Sequence, residues 1–185
     1  MSLWGNDIKP KNLTDAEKKE VFANTKGWVR EAGSILSGNG NTSADPEVLV
    51  AIGGLSANMG SANITELEFI TTAFDKSDGG TLQVRARFNE PVTVTGTPQL
   101  TVVNDSRANH TLSYASGSTT NELVFSLTIA AANSATNAGD VLSIGANAIG
   151  LNGGTIKDTG QSGTNATITN AASIGTAAGT ITVTA

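Results

Sequence analysis

The sequence predicts an all-β protein: a two-sheet antiparallel sandwich preceded by an extended arm that contains a short helix. Three observations predict it. Apolar and polar residues alternate from Leu82 to Phe88, from Val92 to Thr95 and from Leu123 to Ile129, the period of strands with one buried face. Turn signals rich in Gly, Asn, Asp and Ser separate such runs at roughly 8–12-residue spacing, which suits about seven or eight short strands in a sandwich. Residues 1–60 break the pattern, holding both tryptophans and six of the eleven basic residues (Lys9, Lys11, Lys18, Lys19, Lys26, Arg30). The chain therefore divides into an N-terminal arm, 1–60, and a sandwich, 64–185.

In the arm, Pro10 pushes Lys9 out of the α region, so the start reads as extended. Thr14-Asp15-Ala16-Glu17 fits a capping box and predicts a helix of about two to three turns over residues 15–24. Gly27–Arg30 predicts a short strand, residues 33–46 a loop, and Glu47–Leu55, the continuous apolar run of this half, a buried strand. Ser56–Asn63 reads as the linker. Beyond it, Leu67 and Phe69 mark a first strand. Leu82–Phe88 and Val92–Val94 follow, with Asn89-Glu90-Pro91 as a kink where the chain switches sheets, because Pro91 cannot donate to a central ladder. Gln99–Val103 is a strand. Thr111–Tyr114 pairs with Leu123–Ile129 across a polar loop, and Leu123, Phe125, Leu127 and Ile129 form the clearest inward row. Val141–Ile144 and Gly179–Ala185 supply further strands. Asn165–Ala178 reads as a long connection with one weak strand at 166–168.

A chain of 185 residues is long enough to bury a core. Its net charge of -5 argues against a nucleic-acid or anionic-membrane binder. The absence of cysteine excludes disulfides and thiolate metal sites. The opening Met-Ser-Leu-Trp-Gly-Asn-Asp carries no basic-then-apolar signal, and no apolar run approaches the ~18–20 residues of a membrane span. The expectation is a soluble protein made in the cytoplasm.

The motifs supply no catalytic constellation, so the expectation is a non-enzyme without cofactor or metal. His110, the one histidine, reads as a solvated residue at a turn. Asp75-Lys-Ser-Asp78-Gly-Gly superficially resembles a calcium loop but lacks its alternating oxygen ligands and terminal glutamate, so it reads as a polar turn. No Gly-x-Ser-x-Gly elbow or phosphate loop is present. Arg85/Arg87 and Lys18/Lys19 read as solvated faces. Trp4 and Trp28 are more informative: each either anchors the arm to a neighbouring subunit or caps a small core of the protein itself. With Phe22, Val48 and Leu49 they form the candidate contact to a neighbouring subunit.

From about Ile64 to Ala185 the chain resembles bacterial immunoglobulin-like repeats of large surface adhesins. The similar stretches are Val84-Arg-Ala-Arg-Phe88-Asn-Glu-Pro-Val-Thr-Val-Thr-Gly-Thr-Pro-Gln-Leu100, Leu112-Ser-Tyr-Ala-Ser-Gly-Ser118, Leu123–Ile129 and Asn147–Asp158. The resemblance implies an immunoglobulin-like sandwich acting as a spacer or binding module. Those repeats come in long arrays behind a secretion signal, whereas one copy stands here. The first residues, with Gly27-Trp28-Val29 and Glu47–Leu55, look like the leader of virion structural proteins of tailed cyanophages. Together the two resemblances imply a virion protein assembled in the host cytoplasm, a capsid decoration (cement) protein attached through the arm with its sandwich outward. The implied partners are the major capsid protein or other virion proteins and sister copies in a homo-oligomer, with no nucleic acid and no membrane. The alternative they imply is an adhesin-like or tail-associated domain that binds host-surface glycans.

Overall fold

The computed structural model describes residues 13–31, 45–161 and 163–185. The capping box forms as the sequence predicts: the Glu17 amide donates to Thr14 Oγ1 (3.3 Å) and the Thr14 amide to Glu17 Oε2 (2.9 Å). Helix α1 (Asp15–Lys19) nevertheless ends well short of residue 24. Val21, Phe22 and Ala23 are all buried, and residues needing burial on two opposite faces are better served by a strand than by a helix. They form β1 (Val21–Asn24), which turns into β2 (Gly27–Arg30). Gly27 is required there. Its φ is +135°, and a β-carbon would lie 2.6 Å from the Ile52 amide nitrogen and overlap the Val50 carbonyl.

The arm is thus not extended over its described part. β1, β2 and β3 (Glu47–Ala51) form an antiparallel three-stranded sheet, with a bulge at Trp28/Val29. Val21, Ala23, Trp28 and Met59 make its core, to which Leu13, Leu49, Val50, Ile52 and Leu55 add cover. β3 corrects a second expectation. It is an outer strand with half-exposed or exposed side chains, because its apolar run faces the small core on one side only. The expected linker opens with a short helix, α2 (Leu55–Asn58), that helps close this core.

The rest of the described chain is β-rich, with strands β4 (Ile64–Phe69), β5 (Phe74–Asp75), β6 (Gly80–Thr95), β7 (Gln99–Asn104), β8 (His110–Ser116) and β9 (Thr120–Ile129). β10 (Val141–Ser143), β11 (Ile149–Gly150), β12 (Thr155–Asp158), helix α3 (Ala172–Ala177) and β13 (Thr180–Thr184) follow. The hydrogen-bonded path runs β12-β6-β9-β8-β7-β10-β13-β5, with β4 also on β6 and β11 also on β7. The pairing is antiparallel except between β13 and β5, which are parallel, so the sheet is mixed and curled rather than purely antiparallel.

β6 organises this part. It exchanges partners along one side, from β4 (Phe69↔Val84) to β12 (Asp158↔Val92), while β9 lines its other side. The register against β9 breaks between Arg87 and Val92, at the expected kink. Leu82, Val84, Ala86, Phe88 and Val92 face inward and meet Leu100, Leu112, Leu123, Phe125, Leu142, Ile156 and Ile181 in one core. Tyr114 closes over Phe125 edge-to-face, with ring centroids 6.3 Å apart. Among the described residues no helix is long and apolar enough to cross a membrane.

Candidate interaction surface

The outward side chains of β4, β6 and β9 do not form a solvated face. Register places Glu68 opposite Arg85, and Glu66 and Glu122 on either side of Arg87, so acidic strands flank a basic one. Arg85 Nη2 donates to Glu68 Oε2 at 2.6 Å, and its Nη1 lies 3.4 Å from Glu122 Oε2. Arg87 holds three carboxylates: Glu66 Oε2 at 3.2 Å, Glu31 Oε2 at 3.7 Å, and Glu122 Oε1 through its Nε. Its side chain is only 11 % exposed. That corrects the expectation of a solvated arginine pair, and the cause is the N-terminal sheet lying over it.

This network ties the two parts of the chain together. β1 packs against β6, Lys19 Nζ meets Glu66 Oε1 at 2.9 Å, and Asn121 Nδ2 donates to Glu31 Oε1 at 3.1 Å. Glu31 faces one positive partner, Arg87, and one negative neighbour, Glu122. Burial first, and the neighbouring Glu122 second, push its pKa up to about 7 against the attraction of Arg87.

Beside the network lies an open cleft of about 440 Å³. Phe22, Pro46 and Pro91 supply apolar lining, while Asn24, Glu31, Thr119, Thr120, Asn121 and Glu122 supply polar groups. The turn that carries Thr119–Asn121 is set by Gly117 (φ +105°), where a β-carbon would overlap the Glu122 carbonyl.

Of the residues singled out from sequence, Trp4 lies outside the described residues. Trp28 is buried at the centre of the small core, 1 % exposed, so it caps the protein's own core rather than offering a contact. Phe22 is 6 % exposed and borders the cleft. Leu49 packs against the small core, and Val48, 42 % exposed, remains on the surface of β3. The structure thus separates these residues instead of assembling them into one patch. The network residues Glu31, Glu66 and Glu122 were missed. The signal for Glu66 was the charge alternation Glu66/Glu68 on β4, which matches Arg85/Arg87 on β6 once the strands are paired, whereas Glu122 is the lone charge of β9.

Elsewhere, Asp75 builds the polar turn expected of it. Its Oδ1 accepts from the Ser77 amide (2.7 Å) and Ser77 Oγ (2.6 Å), and these bonds, with Thr184 Oγ1 on Oδ2, lower its pKa. His110 is not solvated. It is 4 % exposed, its Nε2 has no partner, and burial lowers its pKa against the pull of Asp140. Asp140 itself accepts from Asn104 Nδ2 (3.0 Å) and the Asn137 amide (2.9 Å). Among the described residues no group of three or more His, Cys, Asp or Glu side chains is arranged to hold a metal ion. No protein-family model, curated protein or solved structure matches the chain.

Proposed function

We propose that the chain is a non-enzymatic virion structural protein. Its main part is an immunoglobulin-like sandwich that projects from a phage capsid as a decoration, and its N-terminal part attaches to the shell or to sister copies. The observation that carries this reading is the N-terminal sheet. It has a core of its own, is clamped to the main sheet by the Arg87 network, and ends in β3, which among the described residues pairs only with β2. An outer strand with Val48 exposed offers unpaired backbone groups and an apolar side chain to a partner. Many copies on a lattice would add avidity to such small contacts.

The direct test is mass spectrometry of purified particles. Copies in the hundreds per particle support decoration, a handful supports a tail or baseplate position, and absence from the particle defeats the reading. The attachment mode has a separate test. Removing residues 1–12 leaves the residues of β1, β2 and β3 in the chain, and Val48→Lys puts a charge on β3. Both variants are expected to fold and to lose attachment to particles; full attachment by both refutes attachment through this part.

A second reading is favoured by the cleft. An aromatic ring beside amide, hydroxyl and carboxylate groups suits a polyhydroxylated ligand, as a host-surface glycan would be. Binding of the full chain to a glycan array, lost in Asn121→Ala, supports it, and an array without hits removes it.

A further inference from the structure

A fully buried carboxyl group sits at the kink of β6. Glu90 is 0 % exposed; its Oε1 is 3.5 Å from Asn89 Nδ2, and its Oε2 has no hydrogen-bond partner. On the neighbouring strand, Asp158 is 2 % exposed. It pairs in register with Val92, two residues from Glu90 on the same inward face, and the adjoining Thr159 amide donates to the Pro91 carbonyl at 3.0 Å. Two buried carboxyl groups therefore stand on adjoining strands.

The surroundings offer them no counter-charge. β12 brings Asp158, while Lys157 beside it lies opposite Thr93 on the outer face. The entry to β4 brings Asn63, bonded to Asn89, and the start of β9 brings Thr120 opposite Val92. Arg87, Glu31 and Glu122 belong to the network on the outward side of β6. A buried carboxylate without a partner is too costly to keep ionised and takes up a proton instead.

We propose that Glu90 keeps its proton in the folded protein, and that its neutral state latches the junction between the two cores. The junction is residues 59–63, with Met59 in the small core and Ala62 in the large one. Asp158 and Asn89, the neighbour of Glu90, hold it: Asp158 Oδ2 accepts from the Ala62 amide (3.0 Å), and Asn89 Oδ1 from the Asn63 amide (2.6 Å). The other Asp158 oxygen accepts from the Gln161 amide at 2.9 Å. Asp158 thus has two backbone donors where Glu90 has none, and the proton is assigned to Glu90. In accord with this, burial first and Asp158 second push Glu90 up to about 8.

An acid with a raised pKa in the folded state holds its proton at low and neutral pH and loses it as pH rises through the folded value. The latch is therefore closed below pH 7 and released to solvent base above about 8. Release leaves two adjacent buried negative charges, which separate by moving Glu90 toward water. That movement draws Asn89 off Asn63 and loosens the clasp on Ala62.

Carboxyl carbon-13 NMR of the glutamate-labelled full chain, with Glu90→Gln to assign the signal, tests the proton directly. Hydrogen exchange at Ala62 and Asn63, corrected for base catalysis, tests the latch. A Glu90 midpoint near 8, with at least a tenfold fall in protection at both amides from pH 6.5 to 9.5 that Glu90→Gln abolishes, is the expected result. A Glu90 midpoint near 4.5, or the same fall in Glu90→Gln, overturns the proposal. So does recovery of protection at pH 9.5 on adding millimolar calcium, since a metal ion would then replace the proton. If Glu90→Gln does not fold, Asp158→Asn decides: it must lower the Glu90 midpoint by removing its neighbour's charge.

Discussion

Glu31→Gln should make the protein more stable, and only above the acid range. The side chain lies between the N-terminal sheet and Arg87, where burial and Glu122 raise its pKa from an ordinary 4.5 to about 7. The folded protein thus holds this proton more tightly than the unfolded chain does. Its contribution to stability is intact below about pH 4.5, declines as pH rises through the interval, and levels off above 7. At about 1.36 kcal/mol per pH unit, the full interval corresponds to about 3.4 kcal/mol. The side chain is 22 % exposed and Glu122 can shift its own charge away, so roughly 2 kcal/mol is the expected measured loss. Glutamine keeps the acceptor that Asn121 uses and has nothing to ionise.

Urea unfolding of wild type and Glu31→Gln, followed by circular dichroism between pH 4.5 and 8.5, gives the difference directly. It should be close to zero at pH 4.5 and reach roughly 2 kcal/mol in favour of glutamine by pH 8. A wild type more stable than the variant at pH 8 would mean that the Arg87–Glu31 ion pair outweighs its desolvation. A difference independent of pH would mean that Glu31 titrates alike in both states. Either result refutes the reasoning.

Two further substitutions test the fold. Phe125→Ala removes a ring that is 0 % exposed in the main core and carries Tyr114 on its edge, so a loss of about 3–5 kcal/mol is expected by chemical denaturation. Gly117→Ala forces a β-carbon onto the Glu122 carbonyl at φ +105° and should cost roughly 2–3 kcal/mol. The same assay measures it, and a change below about 0.5 kcal/mol, typical of a surface site, would mean the turn relaxes freely.

The strands legible in the sequence are those with one buried face. β9 shows its inward row as Leu123, Phe125 and Ile129 because Val124 and Ser126 between them are only partly covered. β7, β8 and β13 were readable for the same reason. Where tertiary packing covers both faces, the period vanishes: Val21, Phe22 and Ala23 look like the end of a helix until Trp28 and β6 claim opposite sides. β5 is two residues long and pairs in parallel with the far end of the chain, so no local pattern could announce it. α3 consists of Ala172-Ser-Ile-Gly-Thr-Ala177, with no apolar period, and Gly175 is held so close to Ile144 that a β-carbon would be 2.7 Å from the Gly145 carbonyl oxygen.

The candidate site was less legible than the fold because opposite charges pair across strands, and pairing is a fact of register. Arg85 and Arg87 alone read as a solvated face; only with β4 and β9 beside them do their partners appear. Glu90 is the instructive exception, since its signal was local. It stands in phase with Leu82, Val84, Ala86, Phe88 and Val92, the row whose other members are all buried. Reading Asn89-Glu90-Pro91 only as an interruption hides that parity. A kink displaces backbone hydrogen bonds, but here it leaves the inward row inward, so a carboxyl group in that row had to be buried. A charge that keeps step with a core row is therefore a stronger indicator of chemistry than a charge in a loop. In this chain it points to a buried carboxyl group that must be reconciled with a proton.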